Sequence, residues 1–422
     1  MKFAMKGAVA VATALTLIAP LAAGAQELVM SIGSRGYGGM MERNIEAFEA
    51  ANPGTSVEWL KVSDVPGDSR KLYVTGLTAK SPTPDVFAID VIWAGEFAQR
   101  GWLEPLNNYL GKDAIAAYNP SFLSAATIDG TVFAAPLYVD GTHLFYRSDL
   151  LEKYGIAVPK TWEEVIAASK TVMEGEGNPQ LYGFVSMWAK IEGLFMNWLS
   201  FTGGNGATFF DADGEVAVNS PESIAATQTM VDMIYKDRIV PDSILTMKPD
   251  DARTLFQQGR AVFLMVQDFV YAPLSAADSP VADKFDFTRN PYFEGHPDAK
   301  STAMGGWLLA VNANSENKEA AAKLVEYFTS YDAQLAAALD ENRAPGRTDV
   351  YDAPEMADAT LLKKLGDDYA VGVVRPSAST GNLYPRVSEV MQTEITNALH
   401  REKTVEQALN DAAAEINSIL GK

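Results

Sequence analysis

The 422-residue chain contains no cysteine and only three histidines, His143, His296 and His400. The missing cysteines exclude disulfides, thiolate nucleophiles and zinc–thiolate sites. The histidines lie far apart in the sequence and show neither a metal-ligand spacing nor the order of a catalytic triad, and the sequence has no GxSxG motif. The residues of the common hydrolytic enzymes are therefore not apparent.

Basic residues and long apolar runs are also scarce. Lysine and arginine number 34 against 54 acidic residues, so the formal net charge is −20. So acidic a chain disfavours nucleic acid and anionic lipid as partners. Beyond residue 25, no stretch reaches about 18 uninterrupted apolar residues, the usual length of a membrane-spanning helix. We expect a soluble mature protein, long enough for two lobes with separate cores.

Residues 1–25 have the pattern of a secretory signal peptide. Lys2 and Lys6 form a positive start, an apolar run follows at 7–21, and Ala-Gly-Ala at 23–25 is a small-x-small cleavage site. A transmembrane anchor is the alternative, but the run is short and no charged stop-transfer pattern follows it. Because there is no cysteine to carry a lipid, we expect a periplasmic protein that is not lipid-anchored.

The start of the mature chain predicts the opening of an α/β sheet. Residues 27–33 favour a strand, residues 40–51 a helix with one apolar face, and residues 56–62 a second strand. The Gly-rich loop after the first strand lacks the ending and spacing of phosphate-binding and dinucleotide-binding loops. Ser34 and Arg35 follow the carboxyl end of that strand, where α/β sheets bind ligands. Each is therefore a candidate ligand contact or a residue of a solvated loop.

Other candidates for ligand contact stand at the ends of predicted strands. Asp90 ends the apolar strand PDVFAID, where its carboxylate either accepts hydrogen bonds from a ligand or caps the next helix. Trp188 ends the strand 181–187 in the same way, whereas Trp93 fits the core and a cleft equally well. Gln267 and Phe269 follow the strand predicted at 260–266.

The stretch at 134–154, AAPLYVDGTHLFYRSDLLEKY, begins as an apolar, β-rich strand and ends as a helix. The strand carries Tyr138 and Asp140, although an unpaired buried carboxylate is costly. Asp140 is therefore either a turn residue before Gly141 or a residue that faces a cleft. We favour a strand that crosses between two lobes and presents Tyr138 and Asp140 to the cleft between them.

Five segments of the chain follow one another in the order found in a known family. They are PDVFAIDVIWAGEFAQRGWLEPL at 84–106, PLYVDGTHLFYRSDLLEKYGI at 136–156, FQQGRAVF at 256–263, GGWLLAVNANSENKEAA at 305–321 and VVRPSASTGNLYPRVSEVMQ at 373–392. Together they resemble the extracellular solute-binding proteins of carbohydrate ABC importers, of the trehalose- and maltose-binding type. Five segments in the right order are far more specific than any one of them.

The resemblance implies an α/β, type II periplasmic-binding-protein fold. Two lobes, each a mixed sheet flanked by helices, would enclose the ligand cleft. We assign residues 26–137 and 292–330 to the N-terminal lobe and residues 138–291 and 331–422 to the C-terminal lobe. The chain would then cross between the lobes near 137–140, 290–293 and 330–332, and these crossings are the expected hinges.

The resemblance also implies binding without catalysis. A di- or oligosaccharide, or a related glycoside, would be captured and passed to the permease subunits of an inner-membrane ABC importer. We expect a monomer without cofactor or metal. A secreted glycosidase is the alternative, but 54 acids produce carboxylate pairs by chance and no spacing singles one out. Asp211 and Asp213 hint at calcium, yet the later ligands of an EF-hand loop are missing and a turn is favoured.

Sugars present hydroxyl groups at the edges of their rings and apolar C–H patches on the faces. Acids, amides and arginine suit the edges, and aromatic side chains suit the faces. The resemblance implies ligand contacts from seven residues, Asp90, Tyr138, Asp140, Gly305, Gly306, Trp307 and Arg375. The predicted site also includes Ser34, Arg35, Trp188, Gln267 and Phe269. Asp90 and Asp140 are expected to face each other across the two lobes.

One departure from the family leaves the identity of the sugar open. Near Gln267 the family usually has a tryptophan that stacks under a sugar ring, whereas this chain has LMVQDFVYAP. The stacking surface is then expected from another aromatic residue, namely Phe269, Tyr271, Trp188 or Trp307. Arginines would also tolerate an anionic sugar derivative, which is a further alternative; the candidates are Arg35, Arg343 and Arg375.

Overall fold

The computed structural model describes residues 26–34, 39–64, 66–369 and 372–422. The predicted signal peptide and Arg35 lie outside the described residues. The strands are β1 Gln26–Ile32, β2 Thr55–Lys61, β3 Val86–Asp90, β4 Thr127–Ile128, β5 Thr131–Val132, β6 Ala135–Arg147, β7 Tyr182–Ser186, β8 Ala261–Gln267, β9 Phe285–Thr288 and β10 Met304–Val311.

Helices connect and cover these strands. They are α1 Met40–Ala51, α2 Pro66–Thr78, α3 Ala94–Gln99, α4 Lys112–Ala116, α5 Pro120–Ala125, α6 Ser148–Lys153, α7 Trp162–Glu176, α8 Glu192–Gly204, α9 Pro221–Tyr235, α10 Pro249–Gln257, α11 Tyr271–Ser275, α12 Lys318–Phe328, α13 Tyr331–Glu341, α14 Thr360–Tyr369, α15 Ser377–Thr380, α16 Tyr384–Leu399 and α17 Val405–Leu420. Within the described ranges, no helix has both the length and the apolar character needed to cross a bilayer.

Several helices begin where the sequence supplies a capping side chain. At the start of α7, the Thr161 hydroxyl accepts a hydrogen bond from the Glu164 N–H at 3.2 Å, and the Glu164 carboxylate accepts one from the Thr161 N–H. At the start of α9, the Ser220 hydroxyl accepts from the Ser223 N–H at 3.2 Å. These bonds satisfy backbone N–H groups that a helix start leaves without intrahelical partners.

The main strands form two groups that share one strand. In the first group, the parallel strands β1, β2 and β3 continue through antiparallel β10 to β6, in the order β2-β1-β3-β10-β6. In the second group, β6 pairs with β8 and β9, and β8 pairs with β7. Helix α12 packs on the first group, and helices α7 and α10 pack on the second. Each group is thus a mixed sheet covered by helices.

Strand β6 belongs to both groups because its two halves have different partners. As far as Gly141, which pairs with Met304, it is bonded to β10. From Thr142, which pairs with Gln267, it is bonded to β8. The crossing strand predicted for this stretch is therefore present, and Asp140 lies inside it instead of in a turn.

The chain passes between the groups again after β9, and Asn290 ties this passage to β6. Asn290 is 1% exposed, and its Nδ2 donates to the carbonyl oxygen and to Oγ1 of Thr142, each at 2.8 Å. The same amide donates to the carbonyl oxygen of Ser301 at 3.1 Å. One side chain therefore fastens the first passage to the second.

Replacing Asn290 with alanine should lower the free energy of unfolding by about 1–3 kcal/mol, because buried acceptors lose their donor. Urea unfolding of N290A measures the loss. The matched control is N219A, since Asn219 makes one surface hydrogen bond, to Asn410 at 2.7 Å. A loss for N290A as small as the control's, about 0.5 kcal/mol or less, would contradict this role.

The third passage between the groups of strands follows α13 and so lies later in the chain than residues 330–332. Helix α13 packs against α1. Its Gln334 donates to the Pro136 carbonyl oxygen of β6 at 2.8 Å and accepts from the Arg347 N–H at 3.0 Å. Helix α14 instead faces the second group, where Lys364 Nζ lies 3.2 Å from Asp286 Oδ1. The change of side therefore lies between α13 and α14.

Candidate functional site

A cavity of about 660 Å³ lies between the two groups of strands. One wall is a row across three strands, in which Asp90 of β3 pairs with Trp307 of β10, and Trp307 pairs with Tyr138 of β6. Residues paired across neighbouring strands share a face of the sheet. A carboxylate, an indole and a phenol therefore stand side by side. The opposite wall includes Glu192 and Gln267.

Arg375 connects the two walls. Its Nη2 lies 2.7 Å from Asp90 Oδ1 and its Nη1 lies 3.4 Å from Asp90 Oδ2, so the guanidinium contacts both carboxylate oxygens. Nη1 also lies 3.3 Å from Glu192 Oε1. Burial raises the pKa of Asp90 above its usual range, and the charge of Arg375 acts against that rise. Burial disfavours the charge on Arg375, but the nearby acids, Asp90 first, raise its pKa and keep it ionised.

Glu192 is the first residue of α8, and helix α16 surrounds its carboxylate with donors. The Tyr384 hydroxyl donates to Oε1, and the Ser388 hydroxyl donates to Oε2. Gln392 donates to Oε2 as well, at 3.4 Å. Because the acid accepts from α16 and from Arg375 together, its position is defined by protein groups alone.

Asp140 lies on the cavity wall beside two other acids, Asp90 and Asp268. Burial raises the pKa of Asp140 to about 7, and the charges of Asp268 and Asp90 add to the rise, while Arg375 and Arg343 oppose it. Burial also raises the pKa of Asp268. Asp140 therefore changes its charge near neutral pH, which an ordinary aspartate does not.

Asp268 is the third member of the acidic group formed by Asp90, Asp140 and Asp268. It directly follows β8, and the Tyr369 hydroxyl of α14 donates to its Oδ2. Both acids stand next to the point where β6 changes partners, because Thr142 pairs with Gln267. The acidic group therefore lies at the first passage between the groups of strands.

Aromatic rings form much of the rest of the wall. The Trp307 ring meets the Trp93 ring edge to face, with centroids 5.7 Å apart. The Arg343 guanidinium lies 4.5 Å from the centroid of the Tyr138 ring. Phe269 also lines the cavity. These rings provide apolar surface next to the charged groups, which suits a ligand with hydroxyl edges and C–H faces.

Gly305 and Gly306 bring β10 close to its neighbours. A Cβ atom on Gly305 would lie 2.2 Å from Asp140 Oδ1, and one on Gly306 would lie 2.7 Å from the carbonyl oxygen of Tyr138. Any side chain at these two positions would displace the carboxylate or the neighbouring strand. Gly305 thus leaves room for Asp140, and Gly306 leaves room for the Phe122 ring and the backbone of β6.

Most of the predicted site residues line this one cavity. They are Asp90, Tyr138, Asp140, Gln267, Phe269, Gly305, Gly306, Trp307 and Arg375. Asp90 has the capping role considered for it, because its Oδ1 accepts a hydrogen bond from the Ile92 N–H at 3.2 Å. That these residues touch a ligand stays a prediction.

Three expectations need correction or fall outside the described residues. Trp188 is 1% exposed and packs in the core, with ring centroids 5.9 Å from Phe184 and 6.2 Å from Phe201, so it does not face the cleft. Ser34 is exposed beside the cavity, with Oγ 3.4 Å from Asp64 Oδ2, but is not part of its wall. Arg35 is not described.

The expected placement of Asp90 and Asp140 across the two lobes is not observed. They lie on β3 and β6, on either side of β10, and so belong to the same group of strands. The acid that faces Asp90 from the opposite wall is Glu192, with Arg375 between them. Glu192 was not predicted, because an acid in the first turn of a helix is ordinary.

The two acids weighed as a calcium site belong to a turn. Asp211 Oδ1 accepts from the backbone N–H groups of Asp213 and Glu215, each at 2.9 Å. One carboxylate oxygen is thereby committed to the local backbone, as expected of an aspartate that stabilises a turn. Among the residues described, no group of three or more histidines or acids is arranged to hold a metal ion.

Comparison with known proteins agrees with this architecture. Residues 35–335 match the family of bacterial extracellular solute-binding proteins. A probable ABC transporter-binding protein of Deinococcus radiodurans is 30% identical over 380 residues, which are 88% of this chain and 89% of that protein. The match therefore extends over nearly the whole of both proteins.

Solved structures give the same result. The maltose-bound MalE3 protein of T. maritima is 34% identical, with a TM-score of 0.86 over 94% of this chain and 100% of that one. A solute-binding protein of Thermotoga lettingae bound with α-D-tagatose is 27% identical, with a TM-score of 0.83 over 94% and 100%. The predicted two-lobed, type II periplasmic-binding fold is confirmed. The chain belongs to the family of bacterial extracellular solute-binding proteins.

Proposed function

We propose that this protein captures a sugar in the cavity, leaves it chemically unchanged and delivers it to the permease of an ABC importer in the inner membrane. The observation that carries the proposal is the make-up of the cavity wall. Trp307 and Tyr138 offer ring faces, while Asp90 and Arg375 offer an acceptor and a forked donor beside them. Such a wall matches both the faces and the edges of a sugar ring.

The relatives support the same ligand class. The T. maritima protein binds maltose, and the T. lettingae protein binds tagatose. The D. radiodurans relative is named as a binding protein of an ABC transporter. The extracellular character of the family and the signal-like residues 1–25 support a periplasmic location. A membrane permease is then the proposed partner, as for the binding protein of an ABC transporter.

The two groups of strands suit two lobes that close on the ligand. We assign β1–β3, β10 and the first half of β6 to the N-terminal lobe, together with α12 and α13. The second half of β6, β7–β9 and the helices α14, α16 and α17 form the C-terminal lobe. The hinges are then the passages at 141–142, 289–303 and 342–359. The last of these replaces the crossing expected at 330–332, because α13 packs on α1.

The charges at the cavity favour a neutral ligand over an anionic one. Eight acids and six cationic residues line the cavity, and Arg343 and Arg375 stand there with Asp90, Asp140 and Glu192. Asp90 and Glu192 already share Arg375. An added carboxylate or phosphate on the sugar would therefore meet unfavourable charge close to Asp140.

A thermal-shift screen of the purified mature protein against neutral, anionic and amino-substituted mono- and disaccharides tests the proposal. A ligand that binds the folded state raises the melting temperature by mass action. The expected result is a rise with one or a few neutral sugars. Stabilisation by anionic derivatives alone would contradict the ligand class, and no stabilisation by any saccharide would contradict the function.

A glycosidase is separated from a binder by following the ligand. Hydrolysis needs two carboxyl groups on either side of the scissile bond, whereas Asp90 and Glu192, the acids that face each other across the cavity, are both paired with Arg375. We expect a disaccharide that stabilises the protein to be recovered intact after long incubation. Release of monosaccharide with turnover would show that the protein is an enzyme.

Trp307→Ala should weaken sugar binding by a few-fold to about tenfold, because a ring contact contributes about 0.5–1.5 kcal/mol beyond area burial. Titration calorimetry with the sugar found in the screen measures the change. Trp102→Ala is the control, since Trp102 packs against Phe97 outside the cavity, with ring centroids 5.3 Å apart. Equal affinities for W307A and the wild type would remove Trp307 from the binding surface.

A further inference from the structure

The ion bridge of Arg375 joins elements that belong to opposite sides of the cavity. Asp90 ends β3, in the first group of strands. Glu192 begins α8, which packs on α9 and α16. The Arg375 side chain is 2% exposed, and the side chains of Asp90 and Glu192 are 7% and 19% exposed. One guanidinium, largely shielded from water, thus holds a carboxylate from each side.

The carboxylate of Glu192 is held by residues of its own side of the cavity. Tyr384, Ser388 and Gln392 of α16 donate hydrogen bonds to it. When the lobes separate, these three bonds within one lobe can persist. The bonds that must break are those that span the cavity, through Arg375.

Arg375 itself stands in a segment that touches both sides. Two residues earlier, Val373 pairs with Ala303 in the second passage between the groups. Just after it, α15 packs against α5 of the first lobe and against α16 of the second. The guanidinium is therefore positioned where a small rotation of the lobes changes its distance from one of the two acids.

We propose that the Asp90–Arg375–Glu192 bridge is a latch that stabilises the closed arrangement of the lobes, and that Glu192 is the positioning residue that anchors Arg375 on the α16 side. This inference rests on the proposed function only in that closure accompanies binding. A contact made in the closed state alone shifts the equilibrium toward that state, whatever the ligand. The apparent affinity for every ligand then falls by one factor when the latch is weakened.

Glu192→Gln is the informative substitution, because glutamine keeps the shape and accepts hydrogen bonds but loses the charge. Small-angle scattering of ligand-free E192Q should give a larger radius of gyration than the ligand-free wild type. The dissociation constants of two chemically different sugars should rise by the same factor, about tenfold or more, as expected for a lost charged hydrogen bond. Ser388→Ala should move both quantities in the same direction by less.

Glu406→Gln is the matched control, since Glu406 is exposed on α17 and the substitution makes the same change of charge. It should alter neither the radius nor either dissociation constant. An unchanged radius for E192Q would overturn the latch. So would losses of affinity that differ between the two sugars, because they would make Glu192 a direct ligand contact. If no saccharide binds the wild type, the proposed function fails, while the ligand-free radii still test the latch.

Discussion

Arg375→Ala should destabilise the ligand-free protein by about 3–5 kcal/mol and remove measurable sugar binding. Breaking a buried ion pair by deleting one partner costs this much because the other charge stays buried without compensation. Here the deletion leaves the buried Asp90 with only the Ile92 N–H as a donor among the bonds described, while Glu192 keeps its donors on α16. The binding loss has the same origin, since the forked donor disappears and the acids that remain repel each other across the cavity.

Chemical unfolding and calorimetric titration measure the two effects. Arg375→Lys should recover part of the stability but little affinity, because a lysine restores the charge without the fork. The matched control is Arg43→Ala, since Arg43 also contacts two carboxylates, those of Asp340 and Glu341, each at 3.2 Å, but its side chain is 50% exposed. It should cost no more than about 1 kcal/mol. If R375A and R43A lost the same stability, the bridge would not be a structural element of the cavity.

Sugar affinity should rise with pH up to about pH 7 and then level off. The pKa of Asp140 is raised to about 7 by burial and by the charges of Asp268 and Asp90. A carboxylate that accepts hydrogen bonds from sugar hydroxyls binds in its ionised form, so the ligand competes with a proton below this pKa. The apparent affinity should then fall by nearly tenfold per pH unit well below it.

The stability of the ligand-free protein should change in the opposite direction. Because the folded-state pKa of Asp140 lies above 3.8, the folded protein binds the proton more tightly than the unfolded chain does. This contribution to stability is complete at low pH and is lost as the pH rises through about 7. Asp140→Asn should flatten both profiles. A wild-type affinity that is constant from about pH 5 to 8 would show that Asp140 does not accept from the ligand.

Features that depend on a few neighbouring residues can be predicted well from the sequence. The crossing strand was predictable because an apolar strand with Asp140 inside it is unfavourable unless one side of the strand faces a cleft. Asp90 was predictable because an acid at the carboxyl end of a buried strand stands at the edge where α/β sheets bind ligands. In both cases a few neighbouring residues are enough for the prediction.

What the sequence does not predict depends on distant packing. Trp188 and Asp90 both end apolar strands and both are buried, yet Trp188 packs among core rings such as Phe201, whereas Asp90 lines the cavity. Arg375 and Glu192 are 183 residues apart in the chain, and neither carries a local sign of the other. The third passage is predicted near 330–332, but a helix such as α13 has the same pattern whichever group of strands it packs on, and its contact with α1 brings it to the first.

The strand β6 has a consequence for how the protein folds and unfolds. In the first sheet, β10 lies between β3 and β6, so this sheet is incomplete until the chain has reached about residue 307. Strand β6 also pairs with β8 and thereby completes the second sheet. The two halves also share one hydrophobic cluster, which includes Phe87 of β3 and Leu264 of β8, so neither half can mature while the other is unfolded. The protein should melt as one cooperative unit, and its folding should be slow, because pairings so distant in sequence must form before either sheet is stable.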